Sequence, residues 1–249
     1  MFFNQRTDDV INRSDIVVCD WDGCIQDITI LWSLNIIRNP DIFKDYLNIE
    51  KFIDSNGEPN ILAIKDTMFA REKYEILDSF LDPNKKELTK QVKDDFYKLY
   101  TDDENFYRNS PFLNMIKVIN TISNQDICKK IVFLSHYITQ PEATRKKEIF
   151  DGLFSESKME FVGIQGGPNH KNNKSTWLND NLPEWTLFID DSPRVLLDIL
   201  NNCDCKNKNI LYPRYGYNKD FEETNDELIV KSEVEIYSYI PKIYSKIIH

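Results

Sequence analysis

Short, almost wholly apolar runs punctuate the chain, and each leads to a polar turn. Residues 15–19 (DIVVC) run into Asp20, 130–134 (KIVFL) into Ser135, and 186–189 (TLFI) into Asp190. Two weaker runs, 160–164 (EFVGI) and 209–212 (NILY), complete the set. Runs this short, with little polar alternation, fit strands covered on both faces, as in a parallel sheet. Patterns at helical spacing lie between them, over 111–123, 141–150, 174–179 and 193–201. This alternation predicts an α/β fold in which a parallel sheet is joined by crossover helices.

One stretch breaks the rhythm. Residues 28–107 contain no convincing strand, while Ile61, Ile64, Met68, Leu77 and Phe80 recur at roughly helical spacing, and Pro83 precedes a second helical pattern. The stretch is too long for an ordinary crossover. It reads as an inserted helical lid over 28–107, with 1–27 and 108–249 forming the core domain. Near the end, Ser232 and Glu235 stand in capping-box spacing and predict a closing helix over 232–239, with Pro241 ending it.

A chain of 249 residues can bury one sizeable core, or a core plus a smaller inserted unit. No apolar run approaches the roughly 18 residues of a membrane span, and residues 1–12 lack the basic start of a signal peptide. Both observations predict a soluble, cytoplasmic protein. Five cysteines, an odd count, fit a reduced compartment better than a disulfide framework. Cys203 and Cys205 have the wrong spacing for a zinc knuckle. The net charge of −10 argues against binding long nucleic acid, yet leaves room for a small phosphorylated substrate. Arg145, Lys146 and Lys147 form the one tight basic cluster, predicted to be a solvated helix face.

Four local patterns carry candidate chemistry. First, Asp20-Trp21-Asp22-Gly23 follows an apolar strand, where ligands bind in open α/β sheets. Two carboxylates flanking one residue can share a pocket if the backbone bends at Gly23, so that one attacks while the other moves protons. A solvated turn is the plain alternative, since Asp and Gly are ordinary turn residues. Second, Ser135-His136 ends another apolar run, and the hydroxyl could donate to a phosphate oxygen or merely cap a turn. Third, Lys174 opens a helix after the loop 166–173 and could neutralise a phosphate, with Lys171 as its rival and a solvated lysine as the plain alternative for either. Fourth, Asp190-Asp191 follows a buried strand, and adjacent acids there need compensation by hydrogen bonds or by a hard divalent cation.

In combination these patterns resemble the haloacid dehalogenase (HAD) superfamily of phosphotransferases. Its first motif, DxDG, is matched by Asp20, Trp21, Asp22 and Gly23; its second by Ser135; its third by Lys174; and its acidic fourth by Asp190 and Asp191. The resemblance covers about 15–26 and 112–217. It implies a Rossmann-like core with a helical cap inserted between the first two motifs, and a Mg²⁺-dependent phosphomonoester hydrolase acting through an aspartyl-phosphate. Asp20 would be the nucleophile and Asp22 the acid and base. Ser135 and Lys174 would bind the transferring phosphoryl group. Mg²⁺ would be held by Asp20, the Asp22 carbonyl, Asp190 and Asp191.

The sequence departs from the family at Cys24, where many members carry Thr or Val, and at Val195, where a further acid or Asn often stands. Specificity would fall to the cap, with Trp32, Arg38, Arg71, Lys73 and Tyr74 as candidates. The acidic-pair region 190–195 and the segment 211–218 look somewhat like nucleotidases and polynucleotide-end phosphatases. A nucleotide or other small phosphorylated metabolite is therefore the leading substrate class. A nucleic-acid end or a sugar phosphate is the enzymatic alternative, and a degenerate phosphate-binding module the non-catalytic one.

Overall fold

The computed structural model describes residues 9–26, 40–50, 53, 55–56, 82, 84–86, 89, 115–137, 139–166, 173–204, 208–213 and 229–232. In chain order the elements are β1 (Ile16–Cys19), α1 (Pro40–Phe43), α2 (Met115–Ser123), β2 (Lys130–Tyr137), α3 (Gln140–Leu153), β3 (Met159–Gln165), α4 (Lys174–Asn181), β4 (Leu187–Ile189), α5 (Pro193–Asn202), β5 (Asn209–Pro213) and β6 (Ile229–Ser232). The strands form one six-stranded sheet in the order β3-β2-β1-β4-β5-β6, and every neighbouring pair is parallel. This is the Rossmann-like α/β architecture that the apolar runs predict.

The lack of polar alternation in the strands has its reason in two cores, one on each face. Val17, Cys19, Ile131, Phe133, Leu187 and Ile189 pack with Val118, Ile119 and Ile122 of α2 and Phe150 of α3. The intervening residues Val18, Val132, Leu134, Phe188 and Ile210 pack on the other face with Leu178 of α4 and Leu196 and Ile199 of α5. Successive side chains of a strand point to opposite faces, so a sheet covered twice needs apolar residues at every position.

Helix starts are set by capping. The Thr139 hydroxyl accepts from Glu142 N–H at the start of α3, and the Asn173 side chain accepts from Thr176 N–H at 2.9 Å at the start of α4. The Asn173 cap makes Lys174 the first residue of its helix.

One expectation is corrected. Ser135 lies inside β2, which continues to Tyr137 because Ser135, His136 and Tyr137 pair with Gly163, Ile164 and Gln165 of β3. Ser232, expected to cap the closing helix, is the last residue of β6 and pairs with Pro213 of β5. Residues 233–239 lie outside the described residues.

Within 28–107 the described residues include the short α1, with Phe43 and Leu47 buried, and Lys85 Nζ donates to Leu47 O at 2.9 Å. The cap boundaries, most of the predicted cap helices, and Trp32, Arg38, Arg71, Lys73 and Tyr74 lie outside the described residues. Among the described residues no helix is long and apolar enough to cross a membrane. Cys19, Cys24, Cys128 and Cys203 are free thiols.

Candidate active site

The strand order turns back at β1, which has β2 on one side and β4 on the other. Crevices for ligands form at the carboxyl ends of strands at such a switch point. Cys19 pairs with Ile189, and Asp20 N–H donates to Ile189 O at 2.8 Å, so Asp20 and Asp190 leave the sheet side by side.

The Asp20–Gln26 turn is anchored by its apolar member. Trp21 is fully buried, meets Phe133 and Phe161 edge-on at 5.7 and 5.5 Å, and donates from Nε1 to Gln26 Oε1 at 2.7 Å. Ile25 and Gln26 N–H both donate to Trp21 O, and Gly23 N–H donates to Gln26 O at 2.8 Å. Gly23 has φ +80°, and a Cβ there would overlap the Asp191 carboxylate. The glycine of the first motif thus permits both a left-handed turn and the close approach of the fourth.

On the β4 side, Lys174 is buried and its ammonium lies 2.7 Å from Asp20 Oδ1 and 2.7 Å from Asp190 Oδ2. Asp20 Oδ1 also accepts from Trp21 N–H at 2.7 Å, and Asp190 Oδ1 from Ser192 N–H at 2.9 Å. Burial acts to lower the Lys174 pKa, but the charges of Asp190 and Asp20 outweigh it and raise it above the ordinary lysine value. Burial pushes Asp190 up to about 7, against the pull of Lys174 and with the help of the Asp20 charge. Burial also raises the Cys24 thiol, reinforced by Cys19, Asp191 and Asp20.

Carboxylate oxygens of Asp20, Asp190 and Asp191 lie within 4.8 Å of one another. Three acids against one ammonium leave negative charge in excess. An all-oxygen donor set around unbalanced negative charge fits a hard divalent cation. These side chains, with the Asp22 carbonyl added by the resemblance, are the residues that would hold one.

On the β2 side stands a group that the sequence reading missed. Lys146 of α3, expected on a solvated face, is fully buried. Its Nζ lies 2.6 Å from Asp22 Oδ2, 2.9 Å from Glu142 Oε1, 2.9 Å from His136 O and 3.2 Å from Ser135 Oγ. Glu142 is itself fully buried, and Ser135 is 1% exposed. The flanking Lys147 does behave as expected, being exposed and paired with Asp151 at 2.5 Å. A signal existed: Glu142, Lys146 and Phe150 share one stripe at i, i+4 spacing, and Phe150 belongs to the core.

All four motifs therefore converge at one sheet edge, with Lys174 joining the first to the fourth and Lys146 joining the first to the second. The rival Lys171 lies outside the described residues. Val195 faces the second apolar core, in keeping with its lack of a ligand atom.

No protein-family model matches the chain, and no curated protein matches it. Similar solved structures include YfnB of Bacillus subtilis, described as a HAD-hydrolase bound to magnesium. It is 12% identical with a TM-score of 0.43, over 95% of this chain and 100% of that one. A hydrolase of Streptococcus pneumoniae is 9% identical with a TM-score of 0.42, over 95% and 100%. A haloacid dehalogenase-like family hydrolase of Xanthomonas campestris is 12% identical with a TM-score of 0.42, over 94% and 91%. With identities and TM-scores this low, function has to be read from the geometry of the site itself.

Proposed function

We propose that this chain is a Mg²⁺-dependent phosphomonoester hydrolase of the HAD type, acting on a nucleotide or another small phosphorylated metabolite in the cytoplasm. The observation that carries the reading is the buried ammonium of Lys174 bridging Asp20 and Asp190 beside Asp191. Such a costly group of buried charges is understandable as a phosphoryl-transfer centre.

In the first half-reaction an Asp20 carboxylate oxygen attacks phosphorus. The bond from phosphorus to the leaving oxygen breaks, and that oxygen takes a proton from Asp22. In the second, water attacks the aspartyl-phosphate and gives its proton to Asp22, and the bond from phosphorus to Asp20 breaks to release inorganic phosphate. Ser135 and Lys174 hold the transferring group and offset charge that develops on its oxygens. Mg²⁺, held by Asp20, Asp190, Asp191 and the Asp22 carbonyl, would supply charge neutralisation at the phosphoryl group.

The test is phosphate release across nucleotides, sugar phosphates and phosphorylated oligonucleotide ends, with Mg²⁺ and with EDTA. Release is expected with Mg²⁺ and should vanish in EDTA. Full activity without metal would show that the acidic pair is wrongly assigned, and release from none of the substrates would favour the non-catalytic alternative.

A further inference from the structure

Lys174 is absorbed by the proposed mechanism, whereas Lys146 and Glu142 are not. A fully buried lysine is costly unless its charge is met, and here every partner is in place. The acceptors around Nζ are Asp22 Oδ2, Glu142 Oε1, His136 O and Ser135 Oγ. They outnumber the three N–H donors of an ammonium, so the group is held from several directions at once. Two of the four belong to motifs assigned to the reaction, one in the turn after β1 and one in β2. Glu142, one helical turn earlier on α3, holds the ammonium from behind. Asp22 itself keeps only 15% side-chain exposure, so its contact with Lys146 is shielded from water.

We propose that Lys146, backed by Glu142, is the positioning residue of the proton-handling carboxylate. Gripping Asp22 at Oδ2 sets the direction of Oδ1 and locks the carboxylate against Ser135, where the phosphoryl group is expected. This is the base-and-orienter arrangement of nucleophilic enzymes, in which a third group holds the acid–base in its working geometry. Lys146 acts through Asp22 and is not itself a catalytic residue. The inference rests on the phosphatase reading and adds a residue that the four motifs do not contain.

The test compares two leaving groups. Lys146→Met and the paired variant Glu142→Leu/Lys146→Met are assayed on p-nitrophenyl phosphate and on the most active alkyl phosphomonoester of the substrate screen. The paired variant removes both buried charges together, which favours folding, and melting curves report whether each variant is folded. An alkoxide needs protonation to leave and p-nitrophenolate needs little. Loss of the orienting contact should therefore cost kcat/KM on the alkyl ester at least about tenfold more than on p-nitrophenyl phosphate. The ratio of the two rates is independent of how much protein is folded, so a purely structural lysine would leave it unchanged. An unchanged ratio in either folded variant overturns the proposal. Failure of both variants to fold assigns Lys146 to the core and overturns it as well. If the unmodified protein hydrolyses no alkyl ester, the phosphatase reading is what has failed, whatever the variants do.

Discussion

Two buried lysines flank the Asp20–Gly23 turn, and their charges are met in different ways. Lys174 sits between carboxylates from adjacent strands, each at 2.7 Å, with Asp191 close by. Lys146 sits between Asp22 and its own helix neighbour Glu142, with a hydroxyl and a carbonyl filling the remaining directions. The β4 flank gathers three acids beside one ammonium, and burial, helped by the Asp20 charge, pushes Asp190 up to about 7. The β2 flank gathers two acids and saturates its ammonium with neutral acceptors. On the proposed reading the contrast separates two jobs: unbalanced charge would prepare a place for a cation, and a saturated network would hold a side chain still.

The comparison is most severely tested at the two aspartates of the turn. Asp20→Asn should accumulate no phosphoprotein and fall to background turnover. Asp22→Asn should lose about 10²- to 10⁴-fold, yet still phosphorylate itself on p-nitrophenyl phosphate. Rapid quench with acid trapping measures both. Phosphoprotein in the Asp20 variant, or unaltered turnover in the Asp22 variant, would reverse the assignment of the flanks.

Next in size are the lysines. Lys174→Met and Lys146→Met each strand buried carboxylates and should cost about 3–5 kcal/mol of stability. The two variants should part company in Mg²⁺. The rise in Tm on adding the ion should exceed that of the unmodified protein for Lys174→Met, where more uncompensated charge faces the cation. It should match the unmodified protein for Lys146→Met. Equal responses would dissolve the distinction between the flanks.

A smaller effect follows from Asp190. Its folded pKa of about 7 lies above the ordinary 3.8, so the metal-free protein holds a proton there that the unfolded chain releases. That stability is full below about pH 4 and is lost as pH rises through 7. A cation competes with the same proton, so Mg²⁺ should bind about tenfold more tightly at pH 8 than at pH 6. Titration calorimetry at the two pH values checks the sign, and tighter binding at the lower pH would contradict it. The smallest effect belongs to Lys147→Ala. Lys147 neighbours Lys146 in sequence but is exposed, so the substitution should stay within about 0.5 kcal/mol in a melting curve and leave activity unaltered.

How much was legible in the chain differs from residue to residue. Asp20, Asp22, Ser135, Lys174 and Asp190 could be picked out because each stands at or beside the end of an apolar run or at a helix start. Such signals are local: a strand covered on both faces must be apolar throughout, and it stops being so where it reaches solvent or a site. The same locality misled at Ser135, whose strand runs on because β3 offers it partners.

By itself the sequence determined the α/β alternation, the parallel sheet and the membership of the four motifs, since all of these follow from patterns written over a few consecutive residues. Only the tertiary structure decided that a second cation, Lys146, serves those motifs. Lys146 has Arg145 and Lys147 on either side, and nothing in that neighbourhood separates a solvated lysine from a buried one. Its burial is favourable because Asp22, 124 positions away in the chain, is brought to 2.6 Å by the pairing of β1 with β2. A charged side chain is buried or exposed according to the partners that meet it, and those partners are assembled by the fold.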